Sequence, residues 1–434
     1  MKILCLIPPY IPSYFNAGHH LPIFQVASYL RHYRPEHEIV CVDAAALNQT
    51  WKELCGLLIK DFDLIAVLND FDSVDTFERF HYYRTCLSAR TKTITFGRLS
   101  KQIPRFFFQF CFDAIVASGD YEAGVLAYVD YLQGITAGEQ LFGVLLRSNV
   151  EPCAAGIYLN PDTWILPQIQ EIPYTAYNFM YKNDLNKFCG IPQRTELVVP
   201  VARGCSVNCQ YCDVPSMQGK IERRLSVEKT LLYIQASFDC LPFDYISFYA
   251  PTFTLNQKWV RALCHGLLQL PRRYPWKCVT VLKTLNEELI RLMGASGCVR
   301  ISLGIESFTH TAALGLPKIK QDTLKAFTRI VNFCRDADIE LNCFIMLGLP
   351  GDTPHDVKQT MDICFEQGAR VRPTIYTPYH WLTNEMTVAE VSHYNRQLFP
   401  PGYLSAEQTA EYYKIFYDNQ NDRETRVMEA ITQR

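Results

Sequence analysis

The first third of the chain alternates short apolar runs with stretches of helical periodicity. Each apolar run is about five residues long, the usual length of a buried strand, and turn-forming or polar residues end it. Strands that alternate with helices in this way predict an α/β fold with a doubly wound parallel sheet, whose ligand lies outside the carboxyl ends of the strands. The predicted strands are 2–7, 39–43, 64–68, 92–96 and 114–118, and the predicted helices are 21–33, 51–60, 75–88 and 121–132.

A second alternation of strands and helices begins at residue 196, after a proline-rich stretch with little periodicity. It contains six strand–helix repeats, which predict a partial (β/α)6 barrel with its chemistry at the carboxyl ends of the strands. The predicted strands are 197–202, 245–250, 277–283, 299–305, 340–347 and 370–376. The expected organisation is an α/β domain at 1–149, a linker at 150–195, the partial barrel at 196–380 and a short helical substrate or capping region at 381–434.

Composition indicates a globular protein with a large core. Of its 434 residues, 48% are hydrophobic and 20% are charged, and the formal net charge is −2. This charge gives no general attraction to polyanions, so we expect no nucleic-acid partner. Nowhere do 18 apolar residues run together, which predicts no membrane span. The 17 cysteines lack the regular spacing of a secreted disulfide framework and favour a reducing cytoplasm.

Three of these cysteines fall within eight residues, at Cys205, Cys209 and Cys212. Thiolates at this spacing in one tight loop can converge on one centre, and soft sulfur ligands select zinc, copper(I) or an iron–sulfur cluster. A closed zinc site needs a fourth ligand, yet no second ligand pair follows nearby. Three protein ligands therefore indicate a centre with an open position, as in a [4Fe–4S] cluster with one iron free.

The arrangement C-x-x-x-C-x-aromatic-C, preceded by Arg-Gly and following a strand, resembles the radical S-adenosylmethionine (radical SAM) superfamily. The resemblance implies that Cys205, Cys209 and Cys212 hold a [4Fe–4S] cluster whose free iron binds SAM. Reductive cleavage of SAM would then yield a 5′-deoxyadenosyl radical. Tyr211 would lie on the adenine side.

Motifs at later strand ends extend this resemblance. Gly304 to Ser307 reads G-I-E-S, which implies that Glu306 binds the ribose hydroxyls of SAM. The stretch from Ile345 to Asp352 resembles G-L-P-G-E, where the backbone around Ile345 and Gly348 would contact the adenine, although Asp352 replaces the usual Glu. Lys283 and Arg300 lie near strand ends and are candidate partners of the SAM carboxylate. The family's acidic residues for the SAM amino group are replaced by Ala250-Pro251.

The N-terminal third resembles the cobalamin-binding-like, Rossmann-type domain that precedes the barrel in one radical SAM subfamily. The expected cobalamin contacts are at strand ends, at Pro8, Asn69, Gly97 and Gly119. The D-x-H-x-x-G motif of classical cobalamin proteins is missing, and Arg98 stands where relatives end the strand with Gly-Gly. We interpret His19-His20 as loop histidines, because nothing in the sequence supplies the partner that a ligating histidine needs. Cys189 could add a ligand, although a buried free thiol is the commoner role.

These resemblances predict a cobalamin-dependent radical SAM enzyme, and first of all a C-methyltransferase that modifies an unactivated carbon through a 5′-deoxyadenosyl radical and methylcobalamin. The alternative is non-methylating radical chemistry, such as epimerisation, rearrangement, cyclisation or dehydrogenation. A third hypothesis is a non-catalytic iron–sulfur or zinc scaffold. The expected partners are an external electron donor of the flavodoxin or ferredoxin type and a small-molecule or peptide substrate. The sequence assigns no catalytic acid, base or hydrogen donor.

Overall fold

The computed structural model describes residues 1–10, 21–84, 88, 90–149, 154–181, 190–191, 193–308, 316–321, 323–395 and 397–432. The chain forms two compact units, each assembled from separate segments. The first contains residues 1–180, 213–220 and 378–395, and the second contains residues 181–212, 221–377 and 396–434.

The strands of the described part fall close to the apolar runs of the sequence. They are β1 Lys2–Ile7, β2 Glu38–Asp43, β3 Leu64–Asn69, β4 Lys92–Gly97, β5 Ala114–Val116, β6 Val144–Leu146, β7 Glu196–Pro200, β8 Ala202–Arg203, β9 Arg223–Arg224, β10 Tyr245–Tyr249, β11 Trp276–Thr280, β12 Cys298–Glu306, β13 Glu340–Leu347 and β14 Arg370–Ile375.

The helices that separate these strands begin at side-chain caps in several places, as at Thr50, whose capping box with Glu53 starts α2. They are α1 Leu21–Tyr33, α2 Trp51–Leu58, α3 Thr76–Tyr83, α4 Arg98–Gln102, α5 Tyr121–Leu132, α6 Tyr174–Tyr181, α7 Val214–Gln218, α8 Val227–Cys240, α9 Gln257–Gln269, α10 Glu287–Ala295, α11 Leu324–Asp336, α12 Pro354–Glu366, α13 Val388–Ser392 and α14 Ala406–Thr432.

The first unit contains the predicted α/β sheet. Its strand order is β2-β1-β3-β4-β5-β6, and β1 to β5 are parallel. Every residue of β3 is buried, as expected for a parallel strand covered by helices on both faces. The sequence did not predict β6, which pairs antiparallel with β5 and closes that edge of the sheet.

An aromatic cluster fills one side of this sheet and incorporates a distant segment of the chain. Phe77, Phe107 and Phe112 pack in edge-to-face contacts within it. Val391 and Tyr394 are buried in the same cluster, which explains why residues 378–395 belong to the first unit.

The second unit contains the predicted partial barrel. Its six strands are all parallel and stand in the order β14-β13-β12-β11-β10-β7, each beside its neighbour along the chain. The six-repeat prediction is therefore confirmed. Cys343 on β13 and Cys364 on α12 are both fully buried, as expected where this strand packs against that helix. Successive side chains of a strand point to opposite faces of the sheet. On β12, Glu306 therefore belongs to the set of residues that alternates with Leu303 and Ile305.

All described cysteines are free thiols. Within the described residues, no helix combines the length and apolar character needed to cross a membrane.

Candidate functional site

The loop that carries the three predicted cluster ligands begins directly after β8. Two left-handed backbone positions shape it, because Gly204 has a φ of 81° and Asn208 has a φ of 57°. The amide of Cys212 donates to the carbonyl oxygen of Cys209 at 3.1 Å and forms a tight turn. Cys205 and Cys209 are buried, and Cys212 is half-buried. The structure therefore holds the three thiols in one compact, turn-rich loop.

The surroundings of these thiols suit ligands of an iron–sulfur cluster. Burial raises the pKa of Cys209, while the neighbouring Lys320 ammonium opposes that rise. A nearby cation favours the thiolate, which is the form that binds metal. Among the described residues, no three His, Cys, Asp or Glu side chains form a group that could hold one metal ion. Thiolates of a [4Fe–4S] cluster bind different irons and need not meet at one point, so the three thiols of this loop fit such a cluster.

The side chain of Tyr211, within this loop, meets the side chains of Glu306 and Lys320 from a later part of the barrel. The Tyr211 hydroxyl donates to Oε1 of Glu306 at 3.0 Å, and the Lys320 ammonium forms an ion pair with the same oxygen. Burial, and then the Glu306 carboxylate, raises the pKa of Tyr211 well above its usual value. Burial alone would lower the pKa of Lys320, but Glu306 and Cys209 raise it. Lys320 therefore stays protonated and neutralises a buried carboxylate.

The backbone at the end of β12 is built around this carboxylate. Glu306 is 4% exposed and has a φ of 63°, in the left-handed region, and the register with β13 shifts between Gly304 and Glu306. A Cβ on Gly304 would lie 2.5 Å from Nζ of Lys320 and 2.8 Å from Oε1 of Glu306. The glycine of the G-I-E-S motif thus makes room for the ion pair, and the left-handed turn is backbone strain at a candidate functional position.

The G-L-P-G-D segment contacts the C-terminal tail within the second unit. The Tyr403 hydroxyl donates to the carbonyl oxygen of Gly348 at 2.7 Å. Gly348 has a φ of 75°, and a Cβ there would lie 2.5 Å from Cε1 of Phe399. The Tyr412 hydroxyl donates to the carbonyl oxygen of Asp352 at 3.1 Å. The tail aromatics therefore support the predicted adenine-contacting turn, a role that the sequence did not assign to them.

The remaining predicted SAM contacts are Ile345, Lys283 and Arg300, and each has its own partner in the structure. Ile345 is fully buried, and its carbonyl oxygen accepts a hydrogen bond from Thr374 at 3.4 Å. Lys283 is exposed and its ammonium donates to the carbonyl oxygen of Lys318, two residues before Lys320. Arg300 pairs through Nε with Oε2 of Glu340 at 2.7 Å. The structure therefore brings Tyr211 and Glu306 together but does not bring Lys283 or Arg300 to that pair.

In the first unit, two of the predicted cobalamin contacts are in direct contact with each other. Asn69 and Gly97 end the neighbouring strands β3 and β4, and a Cβ on Gly97 would lie 1.9 Å from the carbonyl oxygen of Asn69. The Asn69 side chain accepts from the Ser100 amide at 3.0 Å and donates to Thr95 Oγ1 at 2.8 Å. Its amide group therefore ties the ends of β3 and β4 to the start of α4.

Residues of the predicted linker cover another part of this strand edge. Gly119 has a φ of 79°, and a Cβ there would lie 2.6 Å from the carbonyl carbon of Gly156. The Ser118 hydroxyl accepts a hydrogen bond from the Gly156 amide at 2.9 Å. Asp43, at the end of β2, accepts a hydrogen bond from Tyr177 at 2.7 Å. Pro8 is buried just after β1. His19, His20 and Cys189 lie outside the described residues.

Arg98, where the family pattern has glycine, is the first residue of α4 and makes several polar contacts. Its Nε and Nη2 donate to Oδ2 of Asp213 at 2.9 and 2.7 Å, and Nη1 lies 3.3 Å from Oδ1 of Asp70. The sequence did not reveal the partners of Arg98 or of Lys320. Neither partner is a near neighbour in the sequence, since Asp213 is 115 residues from Arg98 and Glu306 is 14 residues from Lys320.

Comparison with known proteins agrees with this geometry. Residues 199–364 match the model of the radical SAM superfamily. The cytidylyl-2-hydroxyethylphosphonate methyltransferase of Streptomyces wedmorensis is 22% identical over 173 residues, covering 38% of this chain and 32% of that protein. The bacteriochlorophyllide d C-12(1)-methyltransferase of Chlorobaculum tepidum is 23% identical over 174 residues, covering 39% of this chain and 38% of that protein. The chain thus spans about a third of the length of these curated relatives.

The likeness to solved structures extends further along the chain. The radical S-adenosylmethionine methyltransferase TsrM from Kitasatospora setae, solved with tryptophan substrate and a SAM analogue, has a TM-score of 0.70 at 15% identity and covers 87% of this chain and 75% of its own. The cobalamin-dependent S-adenosylmethionine radical enzyme OxsB, with aqua-cobalamin bound, has a TM-score of 0.62 at 17% identity and covers 86% of this chain and 53% of its own. At these identities the likeness is one of fold.

The matched segment 199–364 contains the cysteine loop, Glu306 and Gly348. Residues 199–364 therefore form a radical SAM domain, and the cofactors that such a domain implies are a [4Fe–4S] cluster and SAM.

Proposed function

We propose that this enzyme is a cobalamin-dependent methyltransferase that adds a methyl group to an unactivated carbon. The observation that carries the proposal is the extent of the fold likeness. It covers 87% of the chain for TsrM, which is more than the barrel alone and includes the N-terminal sheet. The curated relatives above are methyltransferases by name, which supports methyl transfer over the non-methylating alternative.

In this proposal Cys205, Cys209 and Cys212 hold the cluster through their thiolates. When bound, the cluster and SAM supply a 5′-deoxyadenosyl radical, and cobalamin supplies the methyl group. Glu306 accepts hydrogen bonds from the ribose hydroxyls of SAM, and Tyr211, which already donates to Glu306, orients that carboxylate.

Lys320 takes a part that the sequence had given to Lys283. Its ammonium has three donors, and the ion pair with Glu306 leaves some of this capacity for a second anionic group such as the SAM carboxylate. Lys283 is exposed and is the weaker candidate. The Gly348 turn, braced by Tyr403, offers backbone groups to the adenine beside Ile345.

The proposed cobalamin contacts are the backbone at Pro8, Asn69, Gly97 and Gly119 in the first unit. Gly97 and Gly119 lack side chains where a Cβ would collide with neighbouring backbone. No side chain therefore covers the backbone at these strand ends, and a large ring can approach it. Two further parts of the proposal are an external flavodoxin- or ferredoxin-type electron donor and a small-molecule or peptide substrate. A reducing cytoplasm suits both the free thiols and an oxygen-sensitive cluster.

The deciding experiment is anaerobic incubation of the reconstituted protein with SAM and a reductant. The products 5′-deoxyadenosine and S-adenosylhomocysteine are assayed together, and binding of hydroxocobalamin is followed by its absorbance. Wild-type protein should release 5′-deoxyadenosine and bind hydroxocobalamin. Cys209→Ala should lose iron and 5′-deoxyadenosine formation, whereas Cys240→Ala, at the end of α8, should keep both.

The two parts of the proposal can fail separately. Absence of 5′-deoxyadenosine from iron-loaded protein would refute the radical chemistry. Absence of corrinoid binding would refute the cobalamin dependence. A product without added CH₂ mass would select the non-methylating alternative.

A further inference from the structure

Helix α4 holds the segment that directly follows the cysteine loop. Lys101 donates through Nζ to the carbonyl oxygen of Met217, and Gln102 donates through Nε2 to Ser216 Oγ at 2.8 Å. These partners lie in residues 213–220, which belong to the first unit together with α4. The last cysteine of the loop, Cys212, is therefore one peptide bond away from a segment that α4 fixes.

The ion pair at the start of this segment is between Arg98 and Asp213. Two donors of the guanidinium converge on Oδ2 of Asp213 at 2.9 and 2.7 Å, and the Asp213 side chain is only 4% exposed. Arg98 is itself held by Asp70, by the Tyr379 hydroxyl at 3.2 Å and by the Phe71 ring, whose centroid is 5.2 Å away. A guanidinium held on several sides has little freedom, so it fixes the position of Asp213.

The pair also matters for charge. Asp213 places a buried carboxylate next in sequence to a predicted cluster ligand, and a nearby negative charge makes it harder to add an electron to a cluster. Arg98 is a cation that offsets this charge. Its removal would leave a buried carboxylate with reduced compensation one residue after the third cysteine, which is costly in a poorly solvated place.

We infer that Arg98 is a positioning residue for the iron–sulfur cluster: it fixes the chain at Asp213 and compensates the carboxylate that follows Cys212. This inference rests on the proposed role of Cys205, Cys209 and Cys212 as cluster ligands. It goes beyond that role, because it assigns a residue of the N-terminal sheet to control of the cluster's reduction potential.

The test compares the reduction potential of the reconstituted cluster in several variants of the full chain, measured by redox titration with EPR detection. Arg98→Met should lower the potential and weaken the change in the EPR spectrum that SAM produces. Arg98→Lys keeps the charge and should restore most of the potential. Asp213→Asn should raise the potential, and the double variant R98M/D213N should return it towards the wild-type value.

Arg34→Met is the matched control. Arg34 forms a similar ion pair with Asp130 in the first unit, at 2.7 and 2.6 Å, but neither residue is near the cysteine loop in the sequence. Its loss should leave the potential and the EPR spectrum unchanged. A general loss of stability in the first unit would affect both arginine variants alike, whereas the inference requires the opposite potential shifts of R98M and D213N.

The inference is overturned if Arg98→Met shifts the potential no more than Arg34→Met does, or if Asp213→Asn has no effect of its own. If Arg98→Met fails to fold, Asp213→Asn decides alone: a potential no higher than that of the wild type overturns the inference. Wild-type protein that takes up no iron would instead refute the proposed function, and this outcome is visible before any variant is compared.

Discussion

The Tyr211 hydroxyl donates to Oε1 of Glu306 over 3.0 Å, so a residue of the cysteine loop is tied to the strand end that is expected to bind ribose. This bond orders the Glu306 carboxylate before SAM arrives. An acceptor that is already oriented loses less conformational freedom when the ligand binds.

Glu306→Gln is expected to weaken SAM binding to the reconstituted protein by roughly 10- to 100-fold, the range for hydrogen bonds to a charged group. Tyr211→Phe keeps the carboxylate and should weaken SAM binding by about threefold to tenfold. Equilibrium binding under anaerobic conditions measures both. The matched control is Tyr245→Phe, which removes a similar bond to Glu196 at 2.6 Å. Equal SAM affinity in wild type and Glu306→Gln would contradict the ribose assignment.

Lys320→Met should destabilise the second unit because it leaves the buried Glu306 carboxylate without its cation. Breaking one side of a buried pair costs about 3 kcal/mol, and the Lys320 and Glu306 side chains are only 12% and 5% exposed. Urea unfolding of the apoprotein measures this change in the free energy of unfolding. Lys283→Met, at an exposed position of the same unit, should cost less than about 0.5 kcal/mol.

The double variant K320M/E306Q separates charge from packing in this prediction. If the buried charge is the cause, neutralising Glu306 should recover a large part of the loss from Lys320→Met. If the double variant instead loses as much free energy of unfolding as the two single variants together, lost packing is the cause.

Gly97→Ala is expected to destabilise the first unit by more than about 3 kcal/mol, because the added methyl group would collide with the carbonyl oxygen of Asn69 at 1.9 Å. Gly56→Ala is the opposite case. It lies inside α2, where a Cβ would meet nothing within 4 Å, and should stabilise by about 0.5–1 kcal/mol. Thermal unfolding monitored by circular dichroism tests both, and a tolerated Gly97→Ala would contradict the close approach of the two strand ends.

Glu340 gives the second unit a predictable dependence on pH. Burial would raise the pKa of this carboxyl, but Arg300 and Arg370 hold it below its usual range. A lowered folded-state pKa contributes stability above the unfolded value, about 4.3, and this contribution is lost as the pH falls through the folded value.

Glu340→Gln should therefore cost about 1 kcal/mol at pH 7, a small figure because the side chain is 39% exposed and its ion pairs are screened. The difference from wild type should shrink as the pH falls below about 4. Urea titrations of the apoprotein at several pH values measure it. A difference that is constant with pH would show that the carboxylate charge is not its source.

The sequence predicted regular elements far better than it predicted their partners. The strand at Glu340–Leu347 agrees with its predicted bounds, because a long apolar run leaves little choice. Val144–Leu146 was missed because three residues are too few to show a period. The bonds from Tyr177 to Asp43 and from Arg98 to Asp213 join residues more than a hundred positions apart, and no local pattern carries such information.

The same limit applies to the candidate site. Tyr211, Glu306 and Gly348 could be proposed as site residues because each lies in a motif with a family resemblance, and their roles stay predictions. Lys320 lies between motifs, and one lysine among its neighbours Lys318 and Lys325 has nothing that distinguishes it in the sequence. Only the folded chain shows that this lysine reaches the buried carboxylate.

The C-terminal tail has a practical consequence for anyone who wishes to alter the substrate range by exchanging segments with a relative. Residues 378–395 contribute Val391 and Tyr394 to the aromatic cluster of the N-terminal sheet, whereas Phe399 and Tyr403 brace Gly348 in the other unit. A graft that begins near residue 381 would therefore change two cores and the predicted adenine-contacting turn at once. Chimeras should retain these four side chains, so that a change in product can be ascribed to the grafted surface.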